Sequence, residues 1–275
     1  MLFDRVGRRL VLTGEGEQLL GDCRSLLGQV GALGERAELL RRGDSGVLKV
    51  AATPHMIESV LSTFVSQYAE RYPKVEVKFF EAFGPAQLDL LERGEVHVGI
   101  RMHTDDIHIG KYPLPPIEVV AAVHPSLQLG RGGMVEIARL APYPLLLLES
   151  GYSNRRTFDA ACRLARLEPN ILLESRSPHT LLALAEAGRG VAIIPSVIRI
   201  DRYTLRIVWV THRRKPLREP ITVQWNQRRA LPRYAKGFCE LLDEYMRKIF
   251  PIARPSDPSQ SRVSLMDWPD SAARQ

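Results

Sequence analysis

Apolar residues recur along this chain with two different periods, and the change between them divides it. Leu19, Cys23, Leu26, Val30, Leu33, Ala37 and Leu40 step alternately by four and three. That spacing predicts one helix over 13–42 with a heptad seam, which calls for a partner helix. An amphipathic helix lying on its own domain would show the same spacing. Gly21, Gly28, Gly31 and Gly34 interrupt the helix, each costing roughly 1 kcal/mol against alanine in a helix interior. The helix therefore needs packing to persist. Gly43-Asp44-Ser45-Gly46 predicts its end and a flexible link.

From Val47 the period shortens to that of strands alternating with helices. Strands are expected at 47–52, 75–81, 96–100, 118–123, 143–148, 170–175, 191–194, 205–210 and 220–226. Helices are expected over 56–72, 85–93, 154–166, 180–187 and 231–250. Short strands rich in Val, Ile and Phe, joined by amphipathic helices long enough to cross over, predict parallel βαβ units. A Pro-rich stretch at 112–116 and a Gly-rich turn at 130–133 separate two such series. Two α/β lobes joined by crossing strands fit this order. Residues 251–275, rich in Pro, Ser, Asp and Arg, predict a disordered tail.

Length and composition add little. At 275 residues the chain can hold two domains, and its apolar and charged fractions of 45% and 25% are ordinary. A net charge of +7 favours an anionic partner. Nucleic acid, anionic lipid and small acidic metabolites all fit, as does a solvated basic surface. Cys23, Cys162 and Cys239 are far apart and form no CxxC, which argues against a disulfide framework or a zinc ribbon. Reduced, buried cysteines in a cytoplasmic protein are expected. Cys162 shares a helical face with Phe158 and Ala165, which reads as core rather than a redox sensor. No signal peptide opens the chain and no apolar run approaches membrane-spanning length.

Catalytic signatures are scarce. Ser150-Gly151-Tyr152-Ser153 makes no nucleophile elbow, and no phosphate-cradling loop is present. Gly188-Arg189-Gly190 stands between a helix and a strand, the wrong order for a dinucleotide fingerprint, and reads as a helix C-cap and tight turn. His103, Asp105, Asp106 and His108 match no standard metal spacing and read as an exposed loop. No catalytic residue, metal ligand or cofactor is assigned. The informative positions are polar turns after strands. Thr53-Pro54-His55 opens a long helix, where a hydroxyl beside free backbone N–H groups suits a carboxylate or other anion. The plainer reading is that Thr53 only caps the helix. Glu81-Ala82-Phe83-Gly84 and the turns at 150–154 and 175–180 are placed alike. Together they can converge on one interlobe cleft, the edge where open α/β sheets bind small ligands.

The chain begins with a short basic hairpin, Leu2-Phe3-Asp4-Arg5-Val6-Gly7-Arg8-Arg9-Leu10-Val11-Leu12, followed by Thr13 as a helix N-cap. With Gly16 this resembles the wing and the start of the linker helix of LysR-type transcriptional regulators. Gly46-Val47-Leu48-Lys49-Val50-Ala51-Ala52 resembles their first sensor strand, and Pro73 to Val77 the entry to the second. Leu91, Gly94 and Val96-His97-Val98-Gly99-Ile100 resemble a lobe-one motif; Glu186-Ala187-Gly188-Arg189-Gly190-Val191-Ala192-Ile193-Ile194-Pro195 is similar to the lobe-two motif.

The resemblance implies a two-lobed α/β effector domain of the type 2 periplasmic-binding-protein fold, preceded by a remnant winged-helix wing and a long linker helix. The expected division is a wing at 1–12, linker helix and hinge at 13–46, effector domain at 47–250 and tail at 251–275. Lobe I would take about 47–118 and 211–250, lobe II about 119–210. By position, Thr53, Pro54, His55, Ala82, Phe83, Arg101, Met102, Tyr152, Ser153, Asn154, Ser177, Pro178, His179 and Thr180 would line the effector cleft. Arg5, Arg8 and Arg9 would touch DNA phosphates, which adds affinity without sequence information.

The implied partners are a small co-inducer, with a lean toward a carboxylate or aromatic acid, DNA in a full-length form, and a second or further copies of the chain. The family carries a helix-turn-helix before the wing, and the expectation is a regulator truncated ahead of it, through a misplaced start, an interrupted gene or a real short product. The alternative is a stand-alone ligand-binding module without specific DNA binding.

Overall fold

The computed structural model describes residues 1–7, 9–42, 45–102 and 108–249; of Val6 and residues 35–42 it describes the backbone alone. Arg8, Gly43, Asp44, His103, Asp105, Asp106 and the tail expected at 251–275 lie outside the described residues.

β1 (Phe3–Val6) and β2 (Arg9–Leu12) form an antiparallel hairpin with Val6 opposite Arg9. Thr13 ends it as the sequence predicts. Its hydroxyl accepts the Gly16 N–H at 3.0 Å, satisfying one of the free donors at the start of α1 (Gly14–Arg42). Along one face α1 approaches lobe I so closely that a Cβ on Gly28 would stand 1.9 Å from the Arg93 carbonyl oxygen, which explains this glycine. The heptad seam faces away: Leu26, Val30 and Leu33 are 60, 66 and 68% exposed. Cys23, on the same seam, is exposed rather than buried as the sequence predicts, whereas Cys162 and Cys239 are buried.

Lobe I begins with β3 (Gly46–Ala52). α2 (Pro54–Met56) runs through a π-helical turn, Ile57–Leu61, into α3 (Ser62–Arg71). Next come β4 (Val75–Glu81), α4 (Gly84–Arg93), β5 (Val98–Met102) and β6 (Ile109–Pro113). The chain then crosses to lobe II: β7 (Ile117–Val123), β8 (Met134–Glu136), β9 (Leu145–Leu148), α5 (Ser153–Ala165), β10 (Ile171–Ser175) and α6 (Pro178–Glu186). β11 (Val191–Pro195), β12 (Arg206–His212), β13 (Lys215–Pro216) and β14 (Arg218–Glu219) complete that lobe. The chain returns to lobe I with β15 (Ile221–Asn226) and closes with α7 (Arg233–Ile249).

The lobe I sheet has the order β4-β3-β5-β15-β6; β3, β4 and β5 are parallel and β15 runs antiparallel between β5 and β6. In lobe II, β9 lies parallel between β10 and β11, and β7 lies antiparallel between β11 and β12. Both sheets are covered on two faces, as parallel strands require. In lobe I, Phe64, Tyr68 and Phe238 fill one side and Leu91 the other. In lobe II, Phe158 and Cys162 lie on one side and Leu181 and Leu182 on the other.

Three departures from the sequence reading have local causes. The Pro-rich stretch hides β6, which tolerates Pro113 because it is an edge strand. The Gly-rich turn hides the short β8. The sheets divide at 113/117 and 219/221, because β12 turns back through β13 and β14 to pair Glu219 with Ile117 of β7. Lobe I therefore resumes at Ile221, about ten residues beyond the expected 211. Gly188 takes φ +70 after α6, the left-handed cap that its position predicts.

Candidate functional site

The polar turns after β3, β4 and β9 meet the end of β5 between the lobes. A cavity of ≈ 70 Å³ there is lined from lobe I by Thr53, His55, Met56, Phe83, Gln87, Ile100, Arg101 and Met102, and from lobe II by Gly151, Tyr152, Ser153 and Arg156. Ile117, Glu219 and Ile221, where the chain crosses between lobes, complete the wall. A larger space of ≈ 500 Å³ lies between α1 and lobe I, away from these turns.

Pro54 stands at the start of α2, but the Thr53 side chain makes no cap bond. Its carbonyl receives the Met56 and Ile57 N–H groups, each at 3.0 Å, and its hydroxyl lies 3.3 Å from His55 Nε2. The plain capping reading of Thr53 is thereby replaced by a hydroxyl paired with a histidine at the cavity. His55 Nδ1 is buried and finds no partner. Burial depresses the imidazole to about 4, so it stays neutral at pH 7. Its ring lies 5.6 Å from that of Tyr152, and Phe83 meets the same Tyr152 edge-on at 5.0 Å. Aromatic groups of lobe I thus close on one from lobe II. The Tyr152 hydroxyl is committed to the Arg176 carbonyl at 2.6 Å.

Arg101, one residue before the end of β5, has Nη1 buried and unpartnered. Burial, then the neighbouring Arg156 charge, pull its pKa down. Arg156, one turn into α5, reaches across the cleft, but its Nη2 finds only the Met102 sulfur at 3.6 Å. Gln87 is fully buried: its amide nitrogen donates to the Ala82 carbonyl at 2.8 Å and its Oε1 has no partner. Glu219 is buried too. Burial raises its carboxyl, against the opposing pull of a Ser153 hydrogen bond and the Arg156 charge. Two cations, one buried acid and three unpaired polar atoms thus surround one small space. Such a set is rare unless a ligand or water completes it.

Of the fourteen positions expected in the cleft, Thr53, His55, Phe83, Arg101, Met102, Tyr152 and Ser153 line the cavity. Pro54, Ala82 and Asn154 stand beside them in sequence without lining it. Asn154 is buried with neither amide atom bonded. The 177–180 turn does other work. Ser177 caps α6 through the Thr180 N–H at 3.4 Å, and Pro178 takes its first turn. His179 Nε2 meets Glu58 Oε1 of lobe I at 3.0 Å, while its Nδ1 lies 3.2 Å from the Tyr203 hydroxyl. This pair bridges the lobes outside the cavity.

The sequence reading missed Gln87, Arg156 and Glu219. Gln87 had a signal: it stands four residues before buried Leu91, a polar residue on the apolar stripe of α4. Arg5 and Arg9 are exposed on the hairpin. Among the described residues no three His, Cys, Asp or Glu side chains are grouped to hold a metal, and no helix is long and apolar enough to cross a membrane.

The family profile described as LysR substrate binding domain matches residues 41–247. The HTH-type transcriptional regulator IlvR of Caulobacter vibrioides is 32% identical over 206 residues, covering 72% of this chain and 68% of that protein. Full-length CbnR complexed with its target DNA superposes with a TM-score of 0.65 at 24% identity, over 86% of this chain and 83% of that one. The effector binding domain of QuiR in complex with shikimate gives a TM-score of 0.62 at 14% identity, over 74% and 98%. At these identities the two structures speak for the fold.

Proposed function

The chain belongs to the LysR family of transcriptional regulators through its substrate-binding domain, and from that premise we propose that it is a ligand-responsive regulator whose interlobe crevice takes a small co-inducer. One observation carries the reading: Arg101 Nη1, His55 Nδ1 and Gln87 Oε1 are buried without partners, and all three residues line one cavity between two lobes. A buried polar group left unpaired costs roughly 1–3 kcal/mol, so three at one place favour a polar guest. A guest that touches both lobes binds one lobe arrangement better than another, which shifts their populations. The uncovered α1 seam would carry that shift to a second copy of the chain, and Arg5 and Arg9 would rest on DNA phosphates. We read this role as non-enzymatic and cytoplasmic, that of a regulator: the Thr53 hydroxyl stands beside His55, but His55 Nδ1 has no third group to orient it as a catalytic base.

The test is a thermal-shift screen of the purified chain against small polar metabolites, repeated with Thr53→Ala and Phe83→Ala. At least one compound is expected to raise the Tm of the wild type by several degrees, with a weakened shift in both variants. Compounds that stabilise all three proteins equally would place binding elsewhere and sink the reading.

A further inference from the structure

The crevice says more about its guest than that it is small and polar. Resting on the co-inducer reading above, we propose that the crevice selects a compact aliphatic hydroxy acid, its carboxylate held between Arg101 of lobe I and Arg156 of lobe II and its hydroxyl directed at Gln87 and Glu219. Size comes first. A cavity of ≈ 70 Å³ is about half of the ~150 Å³ that holds a benzene ring in a dry protein core, so the crevice favours an acid with fewer heavy atoms than benzoate.

Charge comes second. Arg101 and Arg156 bring two positive charges, Glu219 one negative, and His55 is neutral. The net of one positive charge matches a monoanion. A dicarboxylate would set its second charge against Glu219, and a zwitterionic amino acid would leave the excess cation unmatched. Hydrogen-bonding capacity comes third. Arg101 Nη1 is an unpaired donor and Gln87 Oε1 an unpaired acceptor, His55 Nδ1 is open in either role by tautomer, and the Glu219 carboxyl lines the same cavity. A carboxylate answers the donor, and a hydroxyl answers the acceptors.

The same arrangement couples binding to lobe position. The two guanidinium groups come from different lobes, and the contact that Arg156 makes across the cleft is a weak one to the Met102 sulfur at 3.6 Å. Without a guest their repulsion favours separation. A carboxylate between them replaces repulsion with two charge-assisted hydrogen bonds, one to each lobe.

The experiment is isothermal titration of the full chain with 2-hydroxybutyrate, butyrate, 2-aminobutyrate, succinate and benzoate, each at up to ~10 mM, where a millimolar Kd still registers. 2-Hydroxybutyrate is expected to bind most tightly, with butyrate about tenfold weaker, the equivalent of one net hydrogen bond. Arg101→Met and Arg156→Met should each weaken both acids at least tenfold. Glu219→Met should remove the preference between them, and Gln87→Leu gives the same reading should Glu219→Met not fold. That ratio compares two ligands on one protein, so lost stability does not imitate it.

Tighter binding of benzoate or succinate would overturn the proposal. So would loss-free binding in both arginine variants, or no binding by any monocarboxylate. If another compound from the screen then binds and Thr53→Ala weakens it, the crevice reading stands and the hydroxy-acid class alone falls.

Discussion

Arg155 and Arg156 are adjacent on α5 and chemically identical, yet they enter two regions of lobe II that treat a guanidinium differently. Arg155 turns inward and is 8% exposed. Its Nε donates to both Asp159 oxygens, at 2.8 and 3.0 Å, and its Nη1 donates to the Leu148 carbonyl at 2.8 Å and to Glu174. These bonds tie α5 to β9 and β10. Arg156 turns to the crevice and meets a sulfur. The inner face is a finished network that holds lobe II together, and the outer face is an unfinished one. Arg156 itself is exposed, and the site shows itself in the buried atoms that line the same crevice without partners, Arg101 Nη1, His55 Nδ1 and Gln87 Oε1, because a folded protein completes its buried polar groups wherever function does not need them open.

The contrast can be broken from the inner face. Arg155→Ala should lower stability by about 2–3 kcal/mol, since it strips Asp159, Glu174 and the Leu148 carbonyl of their donor; the urea midpoint of the full chain measures it. Cys162 lies two turns further along the same buried face, with its thiol pushed up to about 11 by burial. In the wild type a thiol reagent should therefore label exposed Cys23 first. Arg155→Ala should speed labelling of Cys162. A stability within 0.5 kcal/mol of wild type, in the range of ordinary surface substitutions, would mean that the inner network is idle.

A pH-dependent effect tests the lobe I wall. His55 is depressed to about 4 in the folded chain and titrates near 6.5 when unfolded. Between those values the unfolded state binds more protons, so stability falls as pH drops from about 6.5 toward 4. Glu219, with its carboxyl raised, acts in the opposite direction at acid pH. The difference between wild type and His55→Gln isolates the histidine: the variant should lose less stability across that window. Equal losses would show that His55 is not held neutral.

The smallest effect sharpens the comparison most. Arg156→Met should change stability by no more than about 0.5 kcal/mol, because the repulsion with Arg101 that it removes is offset by the lost attraction to Glu219. A loss comparable to that of Arg155→Ala would erase the distinction between the two faces.

Much of the fold was legible in the residues. The hairpin and the Thr13 cap rest on near neighbours in the chain, and the βαβ order on the local periodicity of each element. The misses were β6 and β8, where Pro113 and the glycines near 130–133 read as punctuation although an edge position tolerates them. The site was legible by half. Thr53, Phe83 and Tyr152 announced themselves as turns after strands. The 177–180 turn had the same appearance, yet it caps α6 and bridges the lobes through His179 and Glu58.

The sequence alone determined the long helix, the alternation of strands and helices and the edge at which a cleft would form, because periodicity and capping are local and each residue states its part. Only the tertiary structure decided which polar atoms remain without partners. Arg101 and Arg156 lie far apart along the chain, as do Gln87 and Glu219, and whether a guanidinium finds a carboxylate or a sulfur depends on which strands the fold brings beside it.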